Sequence, residues 1–166
     1  WASNRIIPDC IRSWSENKHV ILRNPKSTRP WQHVLEPLSG YITLAKSLNK
    51  SKTMHGEAFN FGPSADNEFS VEDLAYEMQK HWKNAKWIYK KNNYSNSEAG
   101  LLKLNCDKAL NKLKWKASWS FEKTIYETII WYDNYLNNRK YLYDLSVSQI
   151  NNYISYFKKN TKNDIS

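Results

Sequence analysis

Hydrophobic positions in this chain recur mostly at three- and four-residue steps, the spacing that gathers one face of an α-helix. Ile7, Cys10, Ile11 and Trp14 follow that step, with Pro8 acceptable near a first turn, and predict a short helix over residues 6 to 16. Pro37 opens a second helix whose apolar stripe is Leu38, Tyr41, Ile42, Ala45 and Leu48, ending at the polar run Asn49-Lys50-Ser51-Lys52. Ser70 with Asp73 makes a capping-box pattern ahead of Val71, Leu74, Ala75, Met78 and Trp82, the expected buried face of a third. Residues 107 to 113 read as a short helix, and Ser120 caps a long one with Phe121, Ile125, Thr128, Ile129, Tyr132 and Leu136 facing inward. Past Asn137, Ser146 with Gln149 repeats the capping pattern. Val147, Ile150, Ile154 and Phe157 then predict a terminal amphipathic helix over residues 147 to 158, packed onto the body.

Between the helices lie short runs with strand character: Val20-Ile21-Leu22, Ala58-Phe59-Asn60-Phe61 before Gly62-Pro63, Trp87-Ile88-Tyr89, and Leu101-Leu102-Lys103-Leu104. Asn24-Pro25-Lys26-Ser27 is a turn by composition. This alternation of helices and strands predicts an α/β fold. The strands are few and short and none precedes the first helix, so the sheet reads as incomplete. Residues 1–136 read as one unit and 137–166 as a polar carboxyl-terminal extension. The sequence opens at Trp1, in a loop leading into a helix, where a natural start is not expected.

Composition changes this picture little. With 166 residues, 40% hydrophobic and 25% charged, a single globular core is the default, and the mean hydropathy of −0.80 reflects heavy use of Asn and Lys. The net charge of +9 permits an anionic partner, but the lysines are scattered, as on a solvated basic surface. Cys10 and Cys106 stand alone, which excludes a disulfide framework and fits a reducing compartment. His19, His33, His55 and His81 show no metal-ligand spacing, so no metal is expected. No apolar run approaches the roughly 20 residues needed to cross a bilayer, and a cytoplasmic location is expected.

Catalytic motifs are largely missing. The four glycines, Gly40, Gly56, Gly62 and Gly100, form no phosphate-binding turn. Tyr76 and Lys80 have the Tyr-x-x-x-Lys spacing of an acid/base pair, but they fall opposite the apolar face of their helix and are expected in solvent. Arg5, Arg23 and Arg29 are more informative. One precedes a helix, one ends a strand and one follows a turn, and three guanidinium forks converging from such junctions would suit a diphosphate. Beside Arg29, Trp31 and His33 can be read either as stacking groups or as core.

Three blocks carry a family resemblance: Trp1-Ala2-Ser3-Asn4-Arg5-Ile6-Ile7-Pro8-Asp9-Cys10-Ile11-Arg12; Arg23-Asn24-Pro25 with Thr28-Arg29-Pro30-Trp31-Gln32-His33-Val34-Leu35-Glu36-Pro37-Leu38-Ser39-Gly40-Tyr41; and Gly56-Glu57-Ala58-Phe59-Asn60-Phe61-Gly62-Pro63. Glu98-Ala99, Leu101 to Leu104 and Trp131-Tyr132 continue it. In these residues the chain resembles the extended short-chain dehydrogenase/reductases that act on nucleotide sugars, the CDP-glucose 4,6-dehydratases above all. The resemblance implies a Rossmann-type half ahead of Trp1 that holds NAD and the Tyr-Lys pair, so neither catalytic nor cofactor-binding residues are expected in this chain. The implied reaction oxidises the sugar at C4, eliminates water across C5 and C6, and returns the hydride to C6, giving CDP-4-keto-6-deoxyglucose. Oxidation must come first, because the ketone acidifies the C5 proton.

By the same resemblance Arg29, in an Arg-x-x-x-x-Val pattern with Val34, binds the diphosphate; the strand ending at Arg23, with Ile21 and Leu22, borders the base; and Arg5 lies in a loop over the substrate. His33 and Glu98 complete the expected substrate-binding set. CDP-glucose or a related nucleotide sugar is the expected partner, with a homo-oligomer open for the full-length enzyme. Departures from the family pattern are Asn105 in place of an Asp, Asn96-Ser97 in place of Pro-His, and no second phosphate-binding arginine near Ser95. Three other readings stand beside this one: another dehydratase or epimerase of the same superfamily, a non-catalytic remnant, and a basic module binding nucleic acid, for which salt-dependent binding to any oligonucleotide is expected.

Overall fold

In the computed structural model, residues 2, 4–64, 66–90 and 101–163 are described, with side chains to residue 159. The first helix, α1 (Ile6–Ser15), turns Cys10, Ile11 and Trp14 inward, and the Trp14 indole N–H donates to the Lys86 carbonyl at 2.8 Å. Asn17 adopts a left-handed φ of 55° as the chain leaves the helix, a conformation asparagine tolerates. Strand β1 (Val20–Leu22) then buries Val20 and Leu22 and exposes Ile21, the period-two pattern of a half-covered strand. It pairs in parallel with β2 (Trp87–Tyr89), Ile21 opposite Ile88.

The long connection between those strands contains α2 (Leu35–Lys50) and α3 (Val71–Gln79); α4 (Asp107–Leu113), α5 (Phe121–Asn137) and α6 (Leu142–Asn163) follow. The expected capping box opens α3: Ser70 accepts from the Asp73 backbone N–H and the Asp73 carboxylate accepts from that of Ser70. Ser120 caps α5 in the same manner through the Lys123 N–H.

Two cores result. In one, α1, β1, α3 and α5 bring together Ile11, Leu22, Leu74, Met78, Ile125 and Ile129. The other is built on Phe61, Ala109, Leu113 and Trp115, with Leu44 of α2 and Phe157 of α6 against it. The result is an α-rich variant of the expected α/β class, with a small parallel sheet.

Two predicted strands do not form. Residues 58–61 have no ladder partner among the described residues; their alternation instead puts Phe59 and Phe61 on one side, stacked at 6.4 Å, as an extended segment over the second core. Its polar groups are met from outside a sheet, by Gln32 donating to the Phe61 carbonyl and by Asn60 donating to that of Asn105. Residues 101–104 contribute a single bridge, Leu101 to Thr28.

The helix faces also differ from the periodic reading. On α2 the stripe residues Leu38, Tyr41 and Ile42 are exposed, while Glu36 and Gly40 are buried. Helix α6 starts at Leu142, ahead of the expected cap. Ser146 lies inside it, donating to the Leu142 carbonyl and accepting from the Trp131 indole. Val147, Ile150 and Ile154 are exposed, and Gln149 and Tyr153 are the buried positions. The terminal helix thus docks through the rings of Tyr153 and Phe157 together with hydrogen bonds, Gln149 reaching both the carbonyl and the carboxylate of Glu127 on α5. Among the described residues no helix is long and apolar enough to cross a membrane.

Gly40 explains how close α2 comes to the second core. A Cβ there would fall 2.3 Å from the Phe61 ring. Gly→Ala inside a helix ordinarily stabilises by about 1 kcal/mol, but at this position overpacking against a buried ring should outweigh that gain. Gly40→Ala is expected to lower the unfolding free energy by about 1–2 kcal/mol in a denaturant titration; a more stable variant would contradict the packing.

Candidate functional site

The start of α1, the strand β1 and the turn after it enclose a cleft of about 410 Å³, lined by Arg5, Ile21, Leu22, Arg23, Arg29 and Trp31 among others. Each arginine is placed by a local structural cause. Arg5 is the extended residue that precedes α1. Arg23 leaves β1 where pairing ends, and its guanidinium donates to the Asn4 side chain at 2.9 Å. Arg29 follows the Asn24–Ser27 turn, which closes with the Ser27 N–H on the Asn24 carbonyl at 3.2 Å. That turn is pinned against the start of α3: the N–H groups of Val71 and Glu72 donate to the carbonyls of Ser27 and Pro25, both at 2.9 Å. Arg29 is half-buried and donates to the Thr28 carbonyl at 2.7 Å, so its orientation is constrained before any ligand arrives.

Charge in the cleft is one-sided. Asp9 is the acidic residue on its rim, and it is engaged by Arg12. Leu22 forms a buried wall and Ile21, half exposed, an apolar edge. An anion flanked by a flat apolar group matches such a surface.

Five of the seven candidate residues, Arg5, Ile21, Leu22, Arg23 and Arg29, meet at this cleft. Glu98 lies outside the described residues. His33 points elsewhere: it is buried against the Trp119 ring at 4.9 Å, accepts from the Leu35 N–H at 3.3 Å, and lines a neighbouring cavity of about 490 Å³ with Gln32, Trp131 and Ile150. Burial holds its pKa down at about 4. Trp31 belongs to both alternatives at once, edging the cleft while its indole donates to the Phe69 carbonyl at 2.9 Å. Sequence reasoning missed Asn4 as the partner of Arg23. The signal was an asparagine beside Arg5, at a loop position suited to its left-handed φ of 60°.

As expected, Tyr76 and Lys80 are exposed; Tyr76 packs edge-on to Trp87 and Lys80 pairs with Glu77. Among the described residues no three metal-ligating side chains cluster. Among the described residues Gly40, Gly56 and Gly62 make no strand-to-helix phosphate turn, and β1 leads into Asn24–Ser27 instead, so these residues do not fit a dinucleotide.

No protein-family model matches the sequence. Over 156 residues, 93% of its length, the chain is 39% identical to the CDP-glucose 4,6-dehydratase of Salmonella typhimurium strain LT2 and spans 43% of that relative, less than half. Among solved structures, the dTDP-glucose 4,6-dehydratase of Bacillus anthracis in complex with NAD superposes with a TM-score of 0.59 at 19% identity, over 85% of this chain and 42% of that one. The UDP-glucose 4-epimerase of Stenotrophomonas maltophila, solved with NAD and a formylated UDP-arabinopyranose, gives 0.64 at 13% identity, over 80% and 40%. These structures establish a shared fold, and over nearly its whole length the sequence is similar to a CDP-glucose 4,6-dehydratase, with the carboxyl-terminal portion of that fold the part the chain fits.

Proposed function

We propose that the three-arginine cleft receives the nucleoside diphosphate of a nucleotide sugar, and that this chain forms the substrate-binding side of a dehydratase acting on CDP-glucose. The observation that carries the proposal is convergence. Arg5, Arg23 and Arg29 come from three different junctions of the chain yet line one cleft, beside an apolar edge at Ile21 suited to a base. Guanidinium forks bind phosphate oxygens in pairs, and Arg29, already tethered to Thr28, is the principal ligand. The 39% identity to a CDP-glucose 4,6-dehydratase supports that substrate and its 4-keto-6-deoxy product. NAD and the acid/base pair belong, in this reading, to the part of the enzyme that these residues do not supply. The 166-residue chain alone is therefore inactive in this reading.

The basic surface gives little support to a nucleic-acid role. Lys26, Lys103, Lys108, Lys112 and Lys123 each pair with a glutamate, which leaves scattered rather than continuous positive charge.

In the complete enzyme, Arg29→Ala should raise the KM for CDP-glucose about ten- to a hundredfold with a smaller effect on kcat, the size of a lost charge-assisted pair, roughly 1.5–3 kcal/mol. Steady-state kinetics decide the matter: an unchanged KM would end the diphosphate assignment.

A further inference from the structure

Helix α6 contributes nothing to the lining of the arginine cleft, yet it grips the segment that carries Arg29. The grip is a buried carboxylate. Glu36, in the first turn of α2, is 1% exposed and receives three donors: the Ser118 N–H at 3.0 Å to each oxygen, the Trp119 N–H at 2.8 Å, and the Tyr153 hydroxyl of α6 at 2.6 Å. A carboxylate taken out of water is tolerated only where such donors replace hydration. Ring contacts run alongside. His33 lies 4.9 Å from Trp119, and Trp119 lies 5.1 Å from Tyr153. At its other end the segment is fixed by Phe69, whose carbonyl accepts from the Arg29 N–H and the Trp31 indole. Residues 29–36 are thus a strut held at both ends, with the arginine at one end and α6 at the other.

We infer that Tyr153 is a positioning residue for substrate binding: by holding Glu36 it sets where the strut delivers Arg29. The inference rests on the diphosphate assignment of Arg29. Tyr153→Phe removes one hydroxyl, leaves the ring against Trp119, and deprives one oxygen of Glu36 of its shortest donor. In the complete enzyme this variant should raise the KM for CDP-glucose about fivefold, with kcat within about twofold, the scale of one lost buried hydrogen bond. Because the effect is transmitted through Arg29, Tyr153→Phe should add nothing further to KM in an Arg29→Ala background, whereas independent effects would multiply.

Glu36→Gln supplies a second variant. Its amide still accepts from the backbone and can donate to the Tyr153 oxygen, so KM should stay within about twofold of the parent. A rise in KM for Arg29→Ala with none for Tyr153→Phe overturns the link alone. The same fivefold rise in both backgrounds also overturns it, because that is general loosening. A fivefold rise in Glu36→Gln overturns it as well, since charge rather than placement would then be at work. An unchanged KM in Arg29→Ala sinks the diphosphate assignment and the link together.

Discussion

Replacing Trp115 with alanine is expected to lower the free energy of unfolding by about 4 kcal/mol, the largest single-residue effect foreseen in this chain. The indole is 1% exposed and meets the Phe61 ring edge-on at 4.9 Å, in the cluster that also holds Ala109 and Leu113. Removing it forfeits both the transfer energy of a large aromatic group and the contacts of the ring it supports, and residues on α2 and α4 cannot close the void without moving whole helices. Its N–H donates to Ser39 Oγ at 2.8 Å, and the same hydroxyl lies 2.8 Å from that of Tyr153. Trp115→Phe should keep most of the packing and lose mainly the hydrogen bond, costing roughly 1–2 kcal/mol. Urea titrations of the two variants with unchanged slope would establish the ranking; a loss below about 1.5 kcal/mol for the alanine variant would mean that the second core is not closely packed.

Acid should destabilise the protein through His33. Burial lowers this imidazole from an ordinary 6.5 to about 4, so between those values the unfolded chain binds a proton that the folded chain refuses. Stability contributed by the neutral ring is complete above pH 6.5 and is lost as pH falls toward 4, at most about 3 kcal/mol for a shift of this size. Glu36 works in the opposite sense. Its pKa is raised by burial, against the opposing pull of its hydrogen bonds from Tyr153, Trp119 and Ser118, so its contribution falls as pH climbs through its titration. The two partly offset each other, and the imidazole is best isolated by substitution. His33→Phe preserves a ring against Trp119 and abolishes the titration. Unfolding free energies measured from pH 4 to 7 should rise with pH in the parent and flatten in the variant, and equal slopes would refute the assignment.

Where periodicity and chemistry agreed, the sequence could be read directly. The capping box of Ser70 and Asp73, the Ser120 cap and the inward residues of α1 and α3 all appear where the sequence put them. The arginine convergence was legible because Arg5, Arg23 and Arg29 each sit at a junction between elements. The failures have a common cause. Phe59 and Phe61 alternate as a strand would, but alternation records only which side is covered, and here helices and a tryptophan cover it. On α2 and α6 most of the periodic apolar residues, Leu38, Tyr41, Ile42, Val147, Ile150 and Ile154, are exposed, and burial falls on Glu36, Gln149 and Tyr153. No local pattern marks a glutamate for burial, because its donors come from 82 to 117 residues away. His33 was similarly drawn toward the site by its nearness to Arg29 in sequence, although at His33 the chain already turns into α2, its carbonyl accepting from the Glu36 N–H, and the ring packs on the remote Trp119.

The pairing of Val20 with Trp87 bears on how the site comes into being. Parallel strands so far apart can meet only after the chain between them has collapsed, and non-local closure of this kind slows folding. Thr28, the neighbour of Arg29, is bridged to both Ser70 and Leu101, so the arginine's surroundings draw on the same remote contacts. A nascent or partly folded chain therefore has the arginines but no geometry to present them. The cleft that the three arginines line is a late product of folding, a property of the finished topology rather than of any segment.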